Sequence, residues 1–280
     1  MKPVTIKQIA LITGSLLLIV LLLLANTKPP VKKTEAVAGS EHADHDHSSP
    51  DISTLIEGAK GQLSAGDKQV ILKLEEELKT SANKKTAFEN IVSQWDSLRQ
   101  PIAAAFYMEQ AAEASPTAIN WKEAGDRYYS ATRFGKEGDR GLLFSRAIEC
   151  YEHSLQLEPE NTEAKISLAS CYVEGTGDPM KGIGMLREIE KTDSTNINLQ
   201  LNLAFFSERS GQWDKAIARF EKVLKIQPDF IEAYLHLADA YQQKGDKVKA
   251  IENLEKYVSV VDDITIKTEI RDYINKLRNS

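Results

Sequence analysis

The sequence predicts an all-α protein, a solenoid of stacked helix pairs carried behind one membrane-spanning helix. Three observations predict it. From Ile52 onward apolar residues recur at helical spacing with almost no strand-like alternation, and helix breakers fall at regular intervals. Similar blocks of sequence then return every 34 or 35 residues.

Composition narrows the function. The 280 residues are 42% hydrophobic and 27% charged, as in an ordinary globular chain. The first 30 residues hold three lysines and no acid, so the remainder carries 32 basic against 41 acidic residues. A body this acidic is poorly suited to phosphate contacts with nucleic acid. Cys150 and Cys171 are too few and too far apart for a disulfide scaffold or a zinc cluster.

Residues 1–8 form a short tail. Ile9 to Ala25 is a 17-residue run without charge, containing eight leucines, three isoleucines and a valine. As a helix it spans roughly 26 Å, close to a hydrocarbon core of ~30 Å, and reads as a transmembrane helix or signal anchor. A cleavable signal peptide is the rival reading. Leu23-Leu24-Ala25 is a weak cleavage match, and the run is longer than a usual signal core. Lysines flank both ends (Lys2 and Lys7, then Lys28, Lys32 and Lys33), which leaves orientation nearly balanced. The expectation is a single-pass protein of the inner (plasma) membrane.

Residues 26–51 contain Pro29, Pro30, Gly39, Ser40, Ser48, Ser49 and Pro50 without apolar periodicity, the composition of a flexible linker. His42, His45 and His47 alternate there with Glu41, Asp44 and Asp46. These are ligand types for zinc, copper or nickel. A floppy tether supplies no supporting shell, so they are weak metal candidates, and a solvated linker is the plainer reading. No cofactor is implied.

Residues 52–84 read as helices outside the repeat register. Ala216 and Ala250 each open the pattern Ala-Ile-x-x-[Phe/Leu]-x-x-[Val/Tyr], and the same frame stepped backwards reaches Gly182 and Ala147. Each block has a partner helix upstream: Trp121-x-x-Ala124-Gly125-x-x-Tyr128, Leu168-Ala169-x-x-Tyr172, Leu203-Ala204-x-x-Ser207 and Tyr234-x-x-Leu237-Ala238-x-x-Tyr241. Pro159 and Pro228 end their second helices at one register. The physical reason for the spacing is that small residues let two antiparallel helices cross closely while large ones fill the gap to the next pair.

This pattern resembles the tetratricopeptide repeat family, whose 34-residue unit has large residues at positions 4, 7, 11 and 24, small ones at 8, 20 and 27, and proline at 32. In that frame residues 85–117 are a degenerate unit, with Phe88, Ile91, Val92, Trp95, Ala104, Met108, Ala111 and Pro116 in register. Residues 118–161 are a unit with a long insertion between its helices (SATRFGKEGD), and 162–196, 197–230 and 231–262 are further units. Residues 263–280 are a capping helix. Departures include Gln200 and Ser207 where aromatic residues are usual.

The resemblance implies a right-handed superhelix whose concave wall is lined by positions 2, 5, 9 and 12 of each first helix. These are Lys122, Asp126 and Tyr129; Ile166, Ser170 and Val173; Leu201, Phe205 and Glu208; and Leu235, Asp239 and Gln242. Ile166, Val173, Leu201, Phe205 and Leu235 would give an apolar groove for a partner polypeptide. Family members that clamp a terminal carboxylate use Lys and Asn, whereas Asp126 beside Lys122 would repel one. No G-x-S-x-G, H-E-x-x-H or C-x-x-C occurs, and GTGDPMKG fits no phosphate loop, so no enzyme is expected. The resulting expectation is a membrane-tethered scaffold, its repeats outside the cytoplasm, that assists assembly or secretion of envelope proteins. The rival is a structural subunit whose groove is covered by residues 52–83 or a second copy. Metal handling through the linker is the distant third.

Overall fold

The structure, a computed structural model, describes residues 51–279. The apolar run 9–25 and His42, His45 and His47 lie outside the described residues. Thirteen α-helices and no strand occur among those described: α1 (Ile52–Gly61), α2 (Ala65–Thr80), α3 (Lys84–Ser97), α4 (Pro101–Ala114), α5 (Ala118–Ala131), α6 (Arg140–Leu157), α7 (Thr162–Gly175), α8 (Pro179–Thr192), α9 (Ile197–Arg209), α10 (Trp213–Ile226), α11 (Glu232–Gln243), α12 (Lys247–Val260) and α13 (Ile264–Asn279). None of them is long and apolar enough to cross a membrane.

Short polar residues set the helix starts. Side chains of Asn83, Thr117, Asn161, Asp178, Asn196 and Asp246 each accept a hydrogen bond from a backbone N–H three residues on. Three of the five turns inside the pairs pass through a left-handed residue: Gly211 (φ 69°), Gly245 (φ 80°) and, unusually, Arg99 (φ 55°).

Five antiparallel pairs follow one another: α3–α4, α5–α6, α7–α8, α9–α10 and α11–α12, each second helix also packing on the first helix of the next pair. Small residues sit at the crossings of the last four pairs. Ala147, Gly182, Ala216 and Ala250 are all buried, in equivalent places on the second helices. Opposite them lie Gly125, Ala169, Ala204 and Ala238, also buried. A Cβ on Gly125 would stand 2.7 Å from the Tyr151 ring, which is why this crossing takes glycine.

One junction is polar. Gln200, wholly buried, stands where a large apolar residue was expected. Its amide nitrogen donates to the Ser194 carbonyl at 2.9 Å, and its amide oxygen accepts from Arg219 at 2.7 Å. Arg219 also grips Glu190 in a forked pair, holding that carboxyl below the usual range. The network joins α8, α9 and α10.

The ends are closed differently. Ile52 and Ile56 of α1 are buried, and α1 packs on α4 while α2 packs on α3. Lys60 and Glu75 tie α1 to α2 at 2.7 Å. Residues 52–83 therefore extend the stack and do not lie over Phe205, whose ring neighbours are Phe220 of α10 and His236 of α11. At the other end Ile270 and Ile274 of α13 are buried, and the Tyr273 hydroxyl donates to Gln242 at 2.6 Å. Cys150 and Cys171 are buried free thiols.

Candidate functional site

The first helices α3, α5, α7, α9 and α11 share one face of the stack, and side chains tie α5 to α3 and α9 to α7. Arg127 of α5 meets Asp96 of α3 at 3.1 Å. Arg209 of α9 meets Glu174 of α7 at 2.7 Å, and Asn198 donates to Glu163 at 2.8 Å. The Ser170 hydroxyl lies 2.8 Å from Asn202 Oδ1. His236 Nδ1 of α11 lies 3.6 Å from Glu208 Oε1, a buried oxygen that takes no hydrogen bond.

Burial narrows the apolar groove expected from these positions. Ile166, Ser170 and Leu235 are buried. Ile166 belongs to a cluster with Leu199 and Leu203, because its position faces the neighbouring helix and not the open side. Val173 and Leu201 are half-buried, Val173 being pressed against Gly182. Phe205 alone of the five stays open, at 36% exposure, with its edge against Phe220 and His236 at ring distances of 5.6 and 5.0 Å.

The polar members are engaged. Lys122 pairs with Asp126 at 2.8 Å, and Asp126 also accepts from the Tyr151 hydroxyl at 2.8 Å. Tyr129 packs against Phe144 and hydrogen-bonds Glu174. Asp239 accepts from Gln243 at 3.4 Å, and Gln242 serves the contact to α13. Lys122 is thus committed within its own helix, which leaves no cation free for a carboxylate at that position.

A cleft that sequence reasoning missed opens between α3 and α5, with α4 as its floor. It encloses about 660 Å³. Phe88, Val92, Met108, Ala111 and Ile119 supply apolar surface, and Lys85, Glu89, Asp96, Glu123 and Arg127 form its rim. Phe88, Met108 and Ala111, in register with the repeat, stay half-buried while Ile91, Trp95 and Ala104 fill the core. Ile119, 71% exposed on the second residue of α5, was the available signal. Rim charges of both signs largely neutralise one another, so the cleft selects for apolar side chains more than for charge. No group of acidic, histidine or cysteine residues among the described residues could hold a metal.

Comparison with known proteins accords with this architecture. A "TPR repeat" family model matches residues 209–245, and a "Tetratricopeptide repeat" model matches residues 231–260. No curated protein sequence matches the chain. Among solved structures, a tetratricopeptide repeat protein from Parabacteroides merdae aligns at 16% identity over 81% of this chain and 87% of its own, with a TM-score of 0.54. MamA protein aligns at 22% identity over 62% of this chain and 90% of its own, with a TM-score of 0.45. YrrB, described as a TPR protein with an unusual peptide-binding site, aligns at 17% identity over 71% of this chain and 97% of its own, with a TM-score of 0.43. The models place tetratricopeptide repeats at residues 209–260, and the stacked helix pairs crossing on small residues share the fold of a tetratricopeptide repeat protein.

Proposed function

We propose that this protein is a membrane-tethered adaptor that holds a partner polypeptide along the first-helix face, with an apolar side chain of the partner seated between α3 and α5. The observation that carries the reading is the open cleft with its exposed apolar wall. Such a surface is stabilised when another chain removes it from water, by about 25 cal/mol per Å². Phe205 gives a second apolar contact further along the same face.

The tether rests on the apolar run 9–25, and the linker 26–51 gives the repeats reach from the bilayer. An adaptor so placed suits assembly or secretion of envelope proteins, with the repeats outside the cytoplasm. No constellation of nucleophile, base and oxyanion donors occurs among the described residues, so the reading asks for binding alone.

The test is capture by the full chain in its own membrane. Ile119→Glu and Phe205→Glu alter exposed side chains and leave the fold standing, and each is expected to abolish recovery of the partner. Retained capture in both variants overturns the reading.

A further inference from the structure

The two edges of the repeat stack differ in charge far more than folding requires. One edge carries the turns within pairs, the other the turns between pairs. Counting each connection with the first three residues of the helix that follows, the within-pair edge of the five pairs holds nine basic and five acidic residues. The between-pair edge, from α4 to α13, holds eight acidic and no basic residue. Every pair contributes one helix N-terminus and one C-terminus to each edge, so complementing helix dipoles would give both the same mixture. The asymmetry has another origin.

The acids on the basic edge are largely spent. Asp178 and Asp246 cap α8 and α12, Asp139 is buried, and Asp214 pairs with Lys244. That last pair and Glu174–Arg209 also show that successive within-pair turns lie side by side. Three large apolar side chains stand out from this edge: Phe134 at 72% exposure, Met180 at 64% and Val248 at 69%. Phe134 occupies the insertion, the longest departure from the repeat length, between exposed Arg133 and Lys136. Apolar tips also occur on the opposite edge, but Ile264 stands there beside Asp262 and Asp263, and Ile119 belongs to the α3–α5 cleft without a basic residue in its turn.

We propose that the within-pair edge docks on an anionic lipid surface, with Phe134 and its neighbours at headgroup level and the basic residues against the lipid charge. Apolar tips in a basic collar suit such a surface, whose attraction for lysine and arginine acts within a Debye length. The acidic edge is repelled by the same field and faces away. Docking deepens the tethered-adaptor reading, because it fixes how the repeats present their first-helix face once the linker holds them near a bilayer.

The test uses the full chain with a fluorophore on Phe134→Cys or, on the acidic edge, Glu160→Cys; buried Cys150 and Cys171 stay unlabelled. Vesicles contain brominated phosphatidylcholine as quencher, with or without phosphatidylglycerol. Quenching is expected at position 134 only with phosphatidylglycerol, and is lost in high salt and in Arg133→Glu/Lys136→Glu/Arg140→Glu. Position 160 stays unquenched. Flotation on neutral vesicles reads the tether separately. Flotation without quenching at 134 in either vesicle overturns edge docking and leaves the tether, pointing to an acidic protein surface instead. Binding to anionic vesicles alone, with quenching at 134, supports the edge and removes the tether. No flotation on either removes both.

Discussion

Gly182 of α8 lies so close to Ala169 of α7 that a Cβ on the glycine would stand 2.3 Å from the Ala169 carbonyl oxygen. The same Cβ would meet Val173 Cγ2 at 2.7 Å. Backbone cannot yield as a flexible side chain does, so Gly182→Ala is expected to destabilise the protein by about 1–3 kcal/mol through overpacking. Gly184, two residues on, has nothing within 4 Å of its would-be Cβ. There the helix preference of alanine acts alone, and Gly184→Ala is expected to stabilise by about 0.5–1 kcal/mol. Denaturant titration of both variants checks the opposite signs.

Arg99 holds the left-handed turn position that Gly211 and Gly245 hold in later pairs. An L side chain there costs roughly 1–2 kcal/mol. Arg99→Gly is therefore expected to raise the unfolding midpoint, and Gly245→Ala (φ 80°) to lower it. A fall in the midpoint of Arg99→Gly would mean that the arginine side chain supports the turn by contacts that outweigh the strain.

Two glutamates give stability opposite dependences on pH. Burial pushes the Glu109 carboxyl above its ordinary value, outweighing the Tyr128 hydroxyl that donates to it at 2.5 Å and Arg146 at 3.4 Å. Its proton is held more tightly folded than unfolded, so its contribution is complete below the usual carboxylate pKa of about 4.3 and is lost as pH rises through the raised value. Glu109→Gln should remove that loss and flatten the melting temperature above the usual carboxylate range. The Arg219 hydrogen bond depresses Glu190, whose contribution is present at neutral pH and lost as pH falls through the lowered value. Glu190→Gln should lower stability by about 1 kcal/mol at neutral pH and progressively less in acid. Melting curves from acid to neutral pH read both.

Burial also pushes both thiols far up and leaves them without solvent access. A thiol reagent is expected to modify neither Cys150 nor Cys171 in the native protein, and both after unfolding without reductant. Fewer than two reactive thiols in the unfolded chain would indicate a disulfide.

The fold was legible because small residues return at one spacing: Ala147, Gly182, Ala216 and Ala250 are identifiable before any coordinates, and their burial follows from how closely paired helices cross. The inner face was less legible. Ile166 and Leu235 looked solvent-facing by position, yet neighbouring first helices approach closely enough to bury them. The pairs Glu174–Arg209 and Ser170–Asn202 join residues 32 to 35 apart, each unremarkable alone. The α3–α5 cleft was hidden because register places Phe88 and Met108 in a unit without showing how much of each side chain the next unit leaves open. Gln200 appeared only as a departure from pattern, and its meaning depends on Arg219 and Glu190 arriving from other helices.

The adaptor reading is tested most directly by photo-crosslinking in the native membrane, with the reactive residue at position 119 beside the cleft or at exposed Glu149 on α6. The prediction is one discrete polypeptide adduct from position 119, competed away by Phe205→Glu, and none from position 149. Equal adducts from both positions, or none from 119, would contradict a partner seated on the first-helix face.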